Sequence, residues 1–399
     1  MLYIIILVLI LLLSLRYDIC GKKRLRLPCY YGMLLVFILV AGLRWRVGLD
    51  TVNYLGDFYH KIPTLDGYSF NVFQSPLFEF INSLVKTLGG RFYVVQFIHA
   101  AFINILIFKY ITKHSSYIFT CLFFYAILCY TYYNMEIMRG SMSIAVCLFA
   151  NDYIIEKKWV KGYLLYVFAL MFHPQTILLF FLPFLFPILK MGYKVIPVFL
   201  AFYALGIIAN ELLSDYLFLL DWDSSIERKA SNYMANEYYN STNNKSFLYF
   251  VLKIFVPLLY SILCILYTKK VKRNPSLLKL EPLLILYICF LLFKSHFFIA
   301  YRYLDYYTIY ICLLFSEFIV DSIKFSEKIT LSVAYTRSFL VFIPIFLSTV
   351  GASYLGKSGD GFRYYPYNSV LQMNDESKRQ HRINKGEAIN YYTVHYNEY

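Results

Sequence analysis

The chain has 399 residues, 59% hydrophobic and 16% charged, with a formal net charge of +14 at pH 7. Soluble domains carry about 25% charged residues, so a soluble enzyme or binding module is excluded and a polytopic membrane protein is expected. The positive balance is not that of a nucleic-acid-binding domain, because Lys and Arg are scattered over short loops, as the positive-inside bias requires.

From the start, Met1 to Leu15 is apolar, and the basic run Arg16, Lys22, Lys23, Arg24 and Arg26 follows it. A cleaved signal peptide has the opposite order, so this segment is expected to span with its N-terminus outside. Further apolar stretches read as spans at 27–43, 92–108, 115–133, 140–155, 162–172, 176–189, 195–213, 247–267, 282–299, 303–320 and 338–355. The expected fold is all-α: a polytopic transmembrane helical bundle of about 12 spanning helices. The stretch 162–172 is short for a span. Pro174 has no backbone donor, so the His173-Pro174 step is a natural break before 176–189. With this parity the short inner loops hold 20 of the 38 Lys and Arg residues, which supports the count.

Two outer loops are long, 44–91 and 214–246. In the first, Leu77 to Leu88 reads as an extra interfacial helix carrying Glu79 and Lys86, lying on the membrane or dipping into it. The organisation expected is a transmembrane domain over 1–355 and a polar extracytoplasmic tail over 356–399. The sequon at Asn240 is read as chance. No CxxC pair and no HExxH motif is present, so neither a metal nor a cofactor is expected.

Charges at the outer ends of the apolar stretches are costly, about 3 kcal/mol each near the bilayer centre, and mark function. Arg44 and Arg46 follow the second span, with Gly48 and Asp50 after them. Arginine offers a planar fork of donors to phosphate oxygens, although both could equally be interface anchors beside Trp45. Asp50 could act as a base or pair with an arginine. Arg139 opens the fifth span, where the helix N-terminus adds a positive field; pairing with Glu136 is the plainer alternative. His173, beside Pro174, could accept a proton from a hydroxyl. Arg302 lies among Tyr301, Tyr303, Tyr306 and Tyr307, and tyrosine faces can stack on sugar rings.

Together Arg44, Arg46, Arg139 and Arg302 would surround one outer cavity, with Asp50 and His173 as candidate catalytic groups. Such a site suits a lipid-linked diphosphate, whose leaving charge the arginines would neutralise while a carboxylate or imidazole deprotonates an acceptor hydroxyl.

The ordered set Val47-Gly48-Leu49-Asp50-Thr51-Val52-Asn53-Tyr54, Arg139 at the head of a span, Phe172-His173, Tyr301-Arg302-Tyr303 and Tyr365-Pro366-Tyr367 resembles the EpsG family of exopolysaccharide polymerases, related in role to the Wzy O-antigen and capsule polymerases. Family members usually have Gln after the arginine, where this chain has Gly140, and Ser or His after the histidine, where it has Pro174. The resemblance implies a polymerase domain over 1–355. It also implies transfer of a glycan from an undecaprenyl diphosphate carrier to a lipid-linked repeat unit, at the outer face of the bacterial cytoplasmic (inner) membrane. A chain-length regulator and a flippase are the partners it implies. The competing readings are a membrane acyltransferase that modifies glycans and a lipid-linked glycan flippase or transporter. A transporter predicts internal repeats and midplane charge pairs, and the sequence has neither.

Overall fold

The structure, a computed structural model, describes residues 2–216, 254–271, 274–297, 300–326, 367 and 369–372. The predicted span 338–355, nearly all of the loop 214–246 with Asn240, and most of the tail lie outside the described residues.

Among the described residues the chain is all helical, and its one isolated bridge joins Arg44 to Ser369. In chain order the helices are α1 (Leu2–Leu13), α2 (Arg26–Gly42), α3 (Leu49–His60), α4 (Pro76–Thr87), α5 (Phe92–His114), α6 (Ile118–Tyr125), α7 (Thr131–Met135), α8 (Met138–Ile155), α9 (Trp159–Leu170), α10 (Ile196–Tyr216), α11 (Val256–Val271), α12 (Pro275–Lys279), α13 (Glu281–His296) and α14 (Tyr301–Ser326). Four continuous stretches are long and apolar enough to cross a membrane: Leu2–Ile19, Phe92–His114, Ile118–Met135 and Tyr301–Lys324. Shorter apolar helices cover Arg26–Gly42, Trp159–Leu170, Pro174–Leu185, Tyr193–Ala209 and Val256–Leu266.

Two elements depart from the sequence reading. The stretch read as a span at 176–189 is two short 3₁₀ helices, Pro174–Phe180 and Leu182–Leu185, that meet at Phe181, with Pro183 in the first turn of the second. Helix α3 falls in what reads as loop, because Asp50, Asn53 and Asp57 line one face of it and leave no continuous apolar run. Helix α4 is where the interfacial helix is expected, opened by Pro76 at its first position, and it buries Phe78, Asn82, Ser83 and Val85.

The core is aromatic. The Phe37 ring lies 4.4 Å from Tyr130 and 5.3 Å from Phe108, drawing α2, α5 and the turn after α6 together. Where α2 crosses α5, a Cβ at Gly42 would come 2.7 Å from the Phe97 ring, so only glycine permits the approach. Buried tyrosines place their hydroxyls on acceptors: Tyr130 donates to Phe37 O at 2.7 Å and Tyr110 to Asp152 at 2.9 Å.

Polar groups collect at the two ends of the bundle. At one end Asp152 takes Lys113 at 2.6 Å and His114 at 2.8 Å, Asn274 donates to Glu317 at 3.0 Å, and Thr120 donates to Asp18.

Candidate functional site

The end of α2, the start of α3, the α7–α8 junction, the His173 corner and the start of α14 meet at one end of the bundle. The chain leaves α2 and turns at Gly48, whose φ of +94° lies in the region glycine tolerates best. A Cβ there would fall 2.3 Å from Met135 O. That close approach lets Thr51 Oγ1 donate to Met135 O at 2.7 Å and the Asp50 N–H donate to the Glu136 carboxylate at 2.9 Å. Asp50 is thereby held in the first turn of α3, against the α7–α8 junction.

Arg139 stands in the first turn of α8. Its guanidinium lies 5.6 Å from the centre of the Tyr54 ring, and Tyr54, Asp57 and Glu79 act on its charge. Its Nε is buried and has no hydrogen-bond partner among the described residues. A buried donor without an acceptor costs about 1–3 kcal/mol, so a ligand oxygen is the natural completion of this group. Glu79 comes from α4, which is pinned by the Leu77 N–H to Met171 O at 3.0 Å and by Lys86 donating to Ile62 O at 2.6 Å. Burial raises the Glu79 carboxyl above its usual range, against the pull of Arg139.

His173 sits in the break between α9 and the turn at Pro174. Its Nδ1 accepts from the Gln175 N–H at 3.3 Å, so the ring itself caps that turn. The corner is fixed further by Thr176, which donates to His173 O at 2.8 Å and lies 2.6 Å from the Ser143 hydroxyl. Tyr306 donates to Ser143 at 3.2 Å, bringing α14 to the same point. The imidazole lies 3.8 Å from where a Cβ would stand on Gly140, so α8 passes directly beneath it. Burial first, then the charges of Arg139 and Arg302, hold His173 down at about 3. The ring is therefore neutral at neutral pH. Since Nδ1 accepts, the proton sits on Nε2, which is a donor.

Arg302 opens α14, 6.0 Å from the centre of the Tyr301 ring, and the Tyr301 ring lies 6.5 Å from Tyr132 on α7. The Tyr133 hydroxyl donates to Asp305 O, fastening the first turn of α14 to α7. Tyr303 turns toward α13 and stacks on Phe290 at 5.6 Å.

The structure thus brings together Asp50, Arg139, His173 and Arg302. Arg44 is fully buried: it donates to Ala41 O at 2.5 Å and to Thr51 Oγ1 at 3.4 Å, and burial lowers it to about 10, so it stays charged. Arg46, at φ +53°, lies over Trp45 at 5.6 Å and lines a cavity on another face of α3. Tyr54 and Glu79 are neighbours of Arg139 that sequence reasoning did not single out. The weak signal for Glu79 was a carboxylate on an otherwise apolar-leaning helix.

The segment read as the start of the tail also reaches this end. Tyr367 donates to Val40 O at 3.1 Å, the Val370 N–H to Leu43 O at 2.8 Å, and the Tyr367 ring packs edge-on against Tyr3.

The sequence pattern of the EpsG family matches residues 29–369. The chain belongs to the EpsG family. The matched region of this EpsG-family protein runs from α2 through every corner of the site to the Ser369 bridge. Family membership and the apolar helices together make it a membrane protein of polysaccharide biosynthesis, with a polymerase-type glycosyltransferase role. Comparison with curated proteins and with solved structures gives no match.

Proposed function

We propose that this EpsG-family chain polymerises a surface polysaccharide at the outer face of the bacterial cytoplasmic membrane. It transfers a glycan from an undecaprenyl diphosphate carrier to a hydroxyl of a lipid-linked repeat unit. The observation that carries the reading is the position of His173 within the fields of both Arg139 and Arg302, beside the unpaired Arg139 Nε. Two fixed cations around one buried imidazole suit a dianionic leaving group.

In the reaction, Asp50 takes the proton of the acceptor hydroxyl. The acceptor oxygen bonds to the anomeric carbon of the donor glycan, and the bond from that carbon to the diphosphate oxygen breaks. The electron pair leaves with the diphosphate, whose charge Arg139 and Arg302 bind and to which His173 Nε2 donates a hydrogen bond. A donor imidazole is the tautomer that the Gln175 contact favours, so we assign Asp50 as the base and His173 to the leaving group. Tyr301 offers a face to the sugar, Tyr303 is taken up in its stack on Phe290, Arg44 braces the turn that carries Asp50, and the chemistry assigned to these residues needs no metal.

The arrangement of about 12 spans, with a catalytic domain over 1–355 and an outer tail over 356–399, belongs to the same reading. The docking of Tyr367 and Val370 beside Arg44 supports a tail on the active side. A flippase and a chain-length regulator are the partners this role requires.

The test is deletion of the gene, complementation with Asp50→Asn, His173→Gln, Arg139→Ala and Arg302→Ala, and analysis of surface glycan. The expected result is loss of long chains with single repeat units retained. Full chain length in all four variants, with each protein inserted, sinks the assignment. Normal polymer lacking acetyl groups on gene deletion would point to acyl transfer instead.

A further inference from the structure

Helix α3 divides two charged regions. Tyr54 and Asp57 act on Arg139, and Asp50 lies in the same sector. Thr51, Leu55 and Tyr59, spaced by four, line a cavity of roughly 170 Å³. At 3.6 residues per turn the two sectors are roughly 130° apart around the helix. The rest of the cavity wall is Arg44, Trp45, Arg46, Arg91, Phe92, Tyr93 and Gln96.

The wall holds three arginines and no carboxylate. Arg44 is fully buried, and its Nε has no hydrogen-bond partner among the described residues. Phe92 and Tyr93 are the first residues of the 23-residue helix α5, whose leading N–H groups lack intrahelical acceptors. The volume is far above the ~10–15 Å³ that one water requires. Arg91 and Tyr59 are exposed, so the cavity has an open rim. Each of these features favours an anion, and the aromatic rim favours one carried on an apolar or ring-bearing molecule.

We propose that this cavity is a second anion site, which holds the diphosphate of the second lipid-linked glycan while the first reacts at Arg139 and Arg302. The inference rests on the polymerase reading, in which both substrates carry a diphosphate and only one loses it. Arg46 and Arg91 hold the retained diphosphate, Arg44 adds its buried positive charge behind them, and α3 keeps the two diphosphates apart while presenting Asp50 toward the reacting one. Arg46 belongs with this site and not with the donor site.

The test uses the full chain in nanodiscs of zwitterionic lipid, with undecaprenyl diphosphate as probe and bound equivalents counted by native mass spectrometry. Two equivalents are expected on the wild type. Arg91→Glu and Arg46→Gln should each leave one tight equivalent and weaken the other about tenfold or more, as loss of a charge-assisted hydrogen bond implies. Arg91 is exposed, so its variant should fold as the parent does. Arg139→Ala should remove the other equivalent, and Arg139→Ala combined with Arg91→Glu should remove both. Two unperturbed equivalents in Arg91→Glu and Arg46→Gln overturn the proposal, as does a single equivalent on the wild type. If instead Arg139→Ala keeps both, the donor-site reading fails while the cavity stands. Displacement from the cavity by an equal concentration of phosphatidylglycerol also overturns the proposal, because the site would then bind any anionic headgroup.

Discussion

The Asp50 N–H donates to the Glu136 carboxylate at 2.9 Å, across 86 residues of sequence. This contact fixes the start of α3 to the junction from which Arg139 emerges, so Asp50 and Arg139, the groups proposed as base and phosphate ligand, are tied together by one hydrogen bond. A bond to a charged acceptor contributes about 1.5–3 kcal/mol. Glu136→Ala should therefore loosen Asp50 and shorten the polymer while the protein still inserts. Glu136→Gln keeps an acceptor oxygen and should restore most of the chain length, measured by gel profiles of surface glycan. Equal damage from both variants would mean that the contact does not position Asp50.

Gly48 should tolerate no side chain. Its φ of +94° and the 2.3 Å approach to Met135 O leave no place for a Cβ. Strain of this kind costs about 1–3 kcal/mol, and the clash adds to it. Gly48→Ala is expected to lower the unfolding temperature of the purified protein and abolish polymer. Gly21→Ala, at φ +66° but with open space around it, should lower the unfolding temperature less and leave the polymer intact.

Arg139 should be replaceable neither by an apolar residue nor fully by lysine. Removing a preorganised charge at a developing anion costs about 10²–10³ in rate. Arg139→Ala should show that loss in a reconstituted elongation assay. Arg139→Lys retains the charge but not the fork, and it leaves the Tyr54 ring without its planar partner. Its rate is expected between the two.

His173 sets a pH dependence of stability. Its folded value of about 3 lies below the ordinary 6.5 because burial, Arg139 and Arg302 all oppose its charged form. The unfolded chain binds the proton first as pH falls. Stability is therefore complete above about pH 6.5 and declines from there toward pH 3. Unfolding temperatures measured from pH 7.5 to 4.5 should fall more steeply in the wild type than in His173→Gln. Parallel curves would remove His173 from the buried, doubly flanked position described here.

Much of the bundle is visible in the sequence from its apolar runs. Apolar runs give helices α1, α2, α5, α8, α13 and α14 near their observed places, because a helix whose donors must be satisfied in lipid announces itself by length and composition. Helix α3 is hidden, because it is a short segment with Asp50, Asn53 and Asp57 along one face, and its contact with α7 comes from far along the chain. The turns after His173 are hidden for a related reason. Their apolar composition reads as a span, and only the hydrogen bonds of Thr176 to Ser143 and His173 O show the corner that ends the α-helix there.

The sequence by itself determined a membrane-embedded helical protein of the EpsG family with costly groups at the ends of its apolar runs. Hydropathy and charge are properties of single segments and survive without tertiary contacts. Only the tertiary structure decided which of those groups share a site. Arg44 and Arg139 look alike as arginines at the ends of apolar runs, yet Arg44 donates to Ala41 O and Thr51 Oγ1 while Arg139 lies against the Tyr54 ring with Glu79 acting on its charge. The acceptors of Arg44 are near it in the chain, but Tyr54 and Glu79 reach Arg139 only through long-range packing, and no local pattern encodes that.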